Sequence, residues 1–237
     1  MPKVEIAEGN PHRRALTEHE QKRFLECAAR RKPFYADIFY VGFSTGMRVG
    51  EINALEWEDI DFENMEIHVN GTMIKVAGKD YYKGPVKTGE SRRTVPMLPE
   101  IARRLKRHRL EQAKLRMMLG DKWRPVSGLE QLVFTTMFGR PLMTLSVSRY
   151  INSTVNAVNR EEEKRAAAER RKPLPMETFC PHSMRHTFAT RALEKGIPPK
   201  VVQSYLGHST IDVTMNIYTH VTSELEREEI KKIAGQF

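Results

Sequence analysis

The chain has almost no cysteine, no long apolar run and no His/Cys cluster, and each gap removes a class of protein. Cys27 and Cys180 are the only thiols in 237 residues. They lie far apart and outside any CxxC spacing, so neither a disulfide framework nor a zinc site is indicated, and both are expected to be reduced. No apolar stretch approaches the ~20 residues of a membrane span, and the N-terminus carries no signal-peptide core. Internal repeats and low-complexity tracts are absent too. These gaps point to a cytoplasmic protein, nucleoid-associated in a bacterium. What the chain has in excess is positive charge, 39 Lys and Arg against 30 Asp and Glu, a net +9. That balance favours a polyanionic partner, most simply DNA or RNA.

The length suits one large domain or two small ones. Residues 1–14 are polar, with Gly9, Asn10 and Pro11, and read as a linker or tail. Thr17 opens a helix through a capping box with Glu20, and Phe24, Leu25 and Ala28 follow on one side. Pro33 restarts the chain, and 35–45 reads as an apolar core helix closed by Gly46. Arg48 then falls at the start of another helix with Glu51 one turn on, a pair that elsewhere is usually a solvated surface contact.

From residue 61 the apolar period changes to two. Segments 65–69 and 72–76 alternate around Asn70-Gly71, a type I′ hairpin signal, and 92–97 is expected to complete a three-stranded antiparallel sheet. AGKDYYKGPVKTGES, before that last strand, reads as a polar basic loop in which Lys79, Lys83 and Lys87, with Lys75 just ahead, share similar local chemistry. A long helix at 98–119 carries Arg103, Arg104, Lys106, Arg107 and Arg109, either a solvated face or a track for backbone phosphates. A VFTT strand, a FGRP turn and a helix at 146–171 follow; the mixed-charge middle of that helix reads as exposed. The expected fold class is α+β, mostly helical with one small three-stranded antiparallel sheet.

Residues able to act on a phosphate concentrate in CPHSMRHTFATRALEKGIPPKVVQSYLGHSTIDVTMNIYTHV, from 180 to 221. On a helix over 182–195, His182 and Arg185 share one face while Met184, Phe188 and Ala192 form a separate apolar stripe. Pro198 and Pro199 open a second helix, Gly207 ends it, and 209–220 reads as a third that presents Tyr218 near its end. His186 points away from Arg185 and reads as a buried structural histidine; His220 reads as a helix-end cation or a hydrogen bonder near the site.

HSMRHTFATRAL resembles the HxLRHTFAT box of the tyrosine recombinases, or phage integrases; LGHSTIDVTMNIYTHV resembles their LGHSSxxxTxxxYxH box, and STGMRVGEINAL their arginine box. VKTGESRRTVPM is similar to the KTxxSxRxVP hairpin that carries the family's lysine, with Thr88, Ser91 and Arg93 in step. Four boxes in one order are far more specific than any one. The departure inside a box is Met184 where leucine is usual, a nearly volume-conserving change.

The resemblance covers about 16–222 and implies a catalytic domain at 15–222, after the tail at 1–14; 223–237 reads as a final amphipathic helix, with Leu225, Ile230 and Ile233 as candidate apolar contacts, that packs on its own domain or on a neighbour. It implies Arg48, Lys87, His182, Arg185, His208 and Tyr218 as catalytic residues and Glu51 as the carboxylate that holds Arg48. It further implies double-stranded DNA at a recombination site as partner, and a homotetramer on DNA that is monomeric when free. Family members carry an N-terminal helical domain before this region, so the chain is expected to be a catalytic-domain fragment or a truncated or accessory protein.

The residue types suit that chemistry. Only about one tyrosine phenol in a thousand is ionised at pH 7. Two guanidinium forks on the nonbridging oxygens, with a histidine donor, lower the cost of charge build-up in the attack. Lysine suits the acid for the leaving 5′ oxygen. The sequence leaves His182 open as base or phosphate orienter. No carboxylate cluster suited to magnesium accompanies these residues, so neither metal nor cofactor is expected. Two alternatives are a helix-turn-helix DNA reader over 200–218, which would not need Arg48 or Lys87, and a type IB topoisomerase.

Overall fold

The computed structural model describes residues 14–76, 78, 80–85, 92–207, 211, 214–215 and 217–219. Helix α1 (Glu18–Arg31) begins at the capping box: Thr17 Oγ1 accepts from Glu20 N at 3.2 Å, and Glu20 Oε2 accepts from Thr17 N at 2.9 Å. Its buried stripe, Phe24, Cys27 and Ala28, packs on α2 (Pro33–Thr45). Helix α2 is buried on nearly every side because it also meets α4 and α6. Phe24 sets its ring edge against Phe39 at 5.0 Å and Phe179 at 4.9 Å, the favoured aromatic geometry. Gly46 ends α2 in the left-handed conformation (φ 64°), as a C-cap glycine should.

The chain turns at once into α3 (Val49–Asn53) and then into two small sheets. Strands β1 (Ile60–Asp61), β2 (Glu66–Val69) and β5 (Arg93–Pro96) form a three-stranded antiparallel sheet in the order β1-β2-β5. Strands β3 (Gly71–Lys75) and β4 (Tyr81–Pro85) form a separate hairpin. A three-stranded sheet is therefore present, but its membership differs from the sequence expectation. Asn70-Gly71 is not a hairpin turn; the chain passes there from one sheet to the other, with the Asn70 amide donating to Asp59. Strand β3, close to the expected 72–76, pairs with β4, which lies inside the stretch expected to be a loop.

Helix α4 (Pro99–Leu119) lies along α2, and its positive run is largely engaged within the domain. Buried Asp37 on α2 pairs with Arg104 at 3.3 Å and Arg107 at 3.4 Å, and faces His108 Nδ1 at 3.4 Å. Arg104 also lies over the Tyr40 ring at 3.3 Å, Lys106 over Phe62 at 5.3 Å and Arg109 over Trp57 at 5.4 Å. These contacts favour neither of the two surface readings. The VFTT segment contributes one isolated bridge, Thr135 to Pro141, rather than a strand.

Helix α5 (Thr144–Ala168) packs on α1. Its mixed-charge half is not wholly exposed: Glu162 is buried and holds Arg171 at 2.6 Å and Arg23 at 3.5 Å. Helices α6 (His182–Glu194) and α7 (Pro199–Leu206) then form a second apolar cluster, with Ala189, Ala192, Leu193, Val202 and Leu206 at its centre. Thr214, Met215 and 217–219 are helical, in line with the third helix expected there. No helix among the described residues is long and apolar enough to cross a membrane.

Candidate functional site

Two helix junctions bring the central residues together. At the first, the left-handed turn at Gly46 places Arg48 as the residue capping α3, so its backbone N–H is one of the orphan donors of a helix start. Glu51, one turn on, accepts that N–H through Oε2 at 2.8 Å and the Arg48 Nη1 through Oε1 at 2.8 Å. Arg48 Nη2 reaches across to the Gly207 carbonyl at 3.2 Å, where α7 ends. The side chain keeps 37% of its surface exposed, whereas Glu51 keeps 3%.

The second junction is the start of α6. Met184 is fully buried and packs against Gly42 of α2, where an added Cβ would lie 2.7 Å from Met184 Sδ. That close approach draws α6 onto α2 and brings Arg185 beneath the Gly46 turn, where Nη1 donates to the Gly46 carbonyl at 3.0 Å. Arg185 is not on a free helix face, as its spacing suggested; it is 7% exposed. Its Nη2 is buried and has no hydrogen-bond partner among the described residues. Burial first, then Arg48, with Arg93 adding and Glu51 opposing, pushes the guanidinium down to about 9. It remains a cation at neutral pH, and an anion at Nη2 would satisfy both the bare donor and the uncompensated charge.

Arg93 completes the cluster. Its Nη2 donates to Glu51 Oε2 at 2.9 Å, its Nη1 to Oε1 at 3.3 Å, and its Nε to the Tyr205 carbonyl at 2.6 Å. Burial raises the Glu51 carboxyl, but hydrogen bonds and charge from Arg93 and Arg48 outweigh it and leave the group below its ordinary value. The sequence marked Arg93 only as part of the lysine hairpin pattern. Nothing local shows that a strand-entry arginine is buried, because its partners lie 42 and 112 residues away.

His182 is exposed at the first turn of α6, and His186 is half-buried with Nδ1 3.3 Å from Thr190 Oγ1. Tyr218 is half-buried and packs against the α6–α7 cluster, as do Phe188 and Ile217. Lys79, Lys87, His208 and His220 lie outside the described residues, as do Thr88, Ser91, most of the tail at 1–14 and the helix expected at 223–237. Among the competing lysines, Lys83 is tied to Glu56 at 2.7 Å and Asp59 at 2.9 Å. Burial lowers its pKa, but those two carboxylates more than reverse the effect. Lys75 sits 4.8 Å from the centre of the Tyr81 ring.

The profile of the phage integrase family matches residues 14–224. A tyrosine recombinase XerC-like protein of Caldanaerobacter subterraneus subsp. tengcongensis is 34% identical over 209 residues, covering 84% of this chain and 49% of the relative. The transposase from transposon Tn916 of Enterococcus faecalis is 28% identical, covering 92% of this chain and 50% of the relative. Among solved structures, the Tn1549 transposon integrase in complex with transposon right end DNA superposes with a TM-score of 0.76 at 27% identity, over 97% of this chain and 69% of that one. The chain spans about half the length of the curated relatives it matches.

Proposed function

The chain belongs to the phage integrase family, and from that premise we propose that it is the catalytic part of a site-specific DNA recombinase serving a phage or other mobile element. The observation that carries the reading is Arg185, whose bare, buried Nη2 lies in the same cluster as the half-exposed Arg48. Two arginines held by the fold, one with a nitrogen that lacks an acceptor among the described residues, suit the nonbridging oxygens of a phosphodiester. Neither a helix-turn-helix reader nor a type IB topoisomerase is favoured by the relatives.

The proposed reaction is metal-free and conserves the bond. The Tyr218 oxygen attacks the scissile phosphorus, a phosphotyrosyl bond forms at the 3′ side, and the bond to the 5′ oxygen breaks. Arg48, Arg185 and His208 stabilise the charge on the nonbridging oxygens. Lys87 protonates the leaving 5′ oxygen; the commitments of Lys83 and Lys75 within the fold support that choice. His182 accepts the Tyr218 proton or orients the phosphate. A second 5′-hydroxyl then attacks the phosphotyrosine, releasing Tyr218 and joining the new strand. On this reading the enzyme works as a homotetramer on two duplexes in a bacterial cytoplasm, at the nucleoid.

The test is covalent trapping on nicked duplexes with randomised flanks, recovering DNA that stays bound to protein in detergent. The parent chain should give an adduct and Tyr218→Phe none, while Lys87→Ala should slow its formation ~10²- to 10⁴-fold. DNA retained without any adduct, by a protein that binds the same duplexes, would return the reading to a DNA-binding module.

A further inference from the structure

Glu51 has its acceptor capacity filled by two arginines from different parts of the chain. Arg48 supplies a backbone N–H to Oε2 and Nη1 to Oε1, and Arg93 supplies Nη2 and Nη1 to the same two oxygens. A carboxylate has about four lone-pair positions, so neither arginine can leave without exposing a buried charge. The Arg93 side chain is 6% exposed and that of Glu51 3%. A further donor of Arg93, Nε, holds the Tyr205 carbonyl in the last turn of α7. Gly207 follows in the left-handed conformation (φ 63°), and a Cβ there would lie 3.1 Å from both Arg93 Cδ and Nη1. The same Gly207 presents its carbonyl to Arg48 Nη2. One guanidinium thus clasps the carboxylate that orients Arg48 and the helix end whose glycine carbonyl also receives Arg48.

Resting on the recombinase reading above, we infer that Arg93 is a positioning residue for DNA cleavage: it fixes Arg48 against the scissile phosphate through Glu51 and through the α7–Gly207 turn. Arg93 touches no reacting atom in this scheme. Its planar fork is required, because a lysine supplies charge from a single point and cannot meet both Glu51 oxygens and the Tyr205 carbonyl together.

A double-mutant cycle tests this on the duplex recovered by covalent trapping, under single-turnover conditions. Arg93→Met should slow adduct formation ~100-fold and Arg93→Lys ~10-fold, with DNA affinity by fluorescence anisotropy within about twofold of the parent. In an Arg48→Ala background, Arg93→Met should cost less than about threefold more, because the group it positions is already gone. A merely structural role would cost the same factor in both backgrounds and would overturn the inference. So would Arg93→Lys cleaving at the parent rate, and that variant carries the whole cycle if the methionine variant does not fold. A parent chain that forms no adduct overturns the recombinase reading and this inference with it, whereas a cleaving parent with additive variants overturns this inference alone.

Discussion

Replacing Glu51 with glutamine should be strongly disruptive, and its cost should depend on pH. The substitution keeps the shape but turns one acceptor into a donor, so an NH2 would face Arg48 and Arg93 donors where a carboxylate oxygen now stands at 2.8–3.3 Å. The Arg93 side chain, 6% exposed, and the buried Arg185 would lose a nearby negative charge. Breaking a buried pair costs about 3–5 kcal/mol, which for a domain of this size lowers Tm by roughly 6–20 °C. The Glu51 carboxyl lies below its ordinary value of 4.5 in the folded state, because Arg93 and Arg48 outweigh burial. A depressed carboxylate contributes stability that is fully present above the unfolded value and is lost as pH falls through the folded value. The gap between parent and Glu51→Gln should therefore be constant around pH 7 and begin to close below about pH 4.5. Urea unfolding followed by circular dichroism from pH 7 to pH 4 measures it. A gap under about 1 kcal/mol at pH 7 would refute the reasoning, since it would mean that the arginines do not depend on this carboxylate.

Other consequences follow from the same geometry. Gly46→Ala should cost about 2–5 kcal/mol, combining a left-handed backbone with a Cβ placed 2.5 Å from Phe188 and 2.6 Å from Leu206. Gly196→Ala, equally left-handed at φ 80° but with none of the described residues within 4 Å of the added Cβ, should cost only about 1–2 kcal/mol, and thermal melts of the pair separate the two terms. Arg185→Met removes a buried, under-satisfied guanidinium, so Tm should stay level or rise while adduct formation falls ~10²- to 10³-fold. A variant that melts early and cleaves normally would contradict that assignment.

The helical part of the fold was legible because its signals are local. The Thr17 capping box, the left-handed Gly46 at the end of α2 and Gly207 at the end of α7 all form where short-range chemistry puts them. Strand pairing was not legible. Asn70-Gly71 has the composition of a tight turn, yet Asn70 donates to Asp59 and the chain crosses between sheets, a tertiary contact overriding a local preference. Strand β4 was hidden by the glycine and proline in YYKGP, which read as loop, although Lys83 within it is anchored between Glu56 and Asp59. At the site, the arginines were legible from their boxes, but their burial was not. Arg185 shares a helical face with His182 by spacing, and the close approach of Met184 to Gly42 is what draws that part of α6 under the Gly46 turn. Arg93 was the residue whose placement mattered most and showed least, since both its partners come from distant segments.

The central claim is that Tyr218 becomes covalently linked to DNA at a phosphate held by Arg48 and Arg185. Mass spectrometry of the nuclease- and protease-digested adduct tests it most directly. The account predicts one nucleotide-modified peptide, carrying a 3′-phosphate on Tyr218. Modification at any other residue, or an undiminished adduct from Tyr218→Phe, would contradict it.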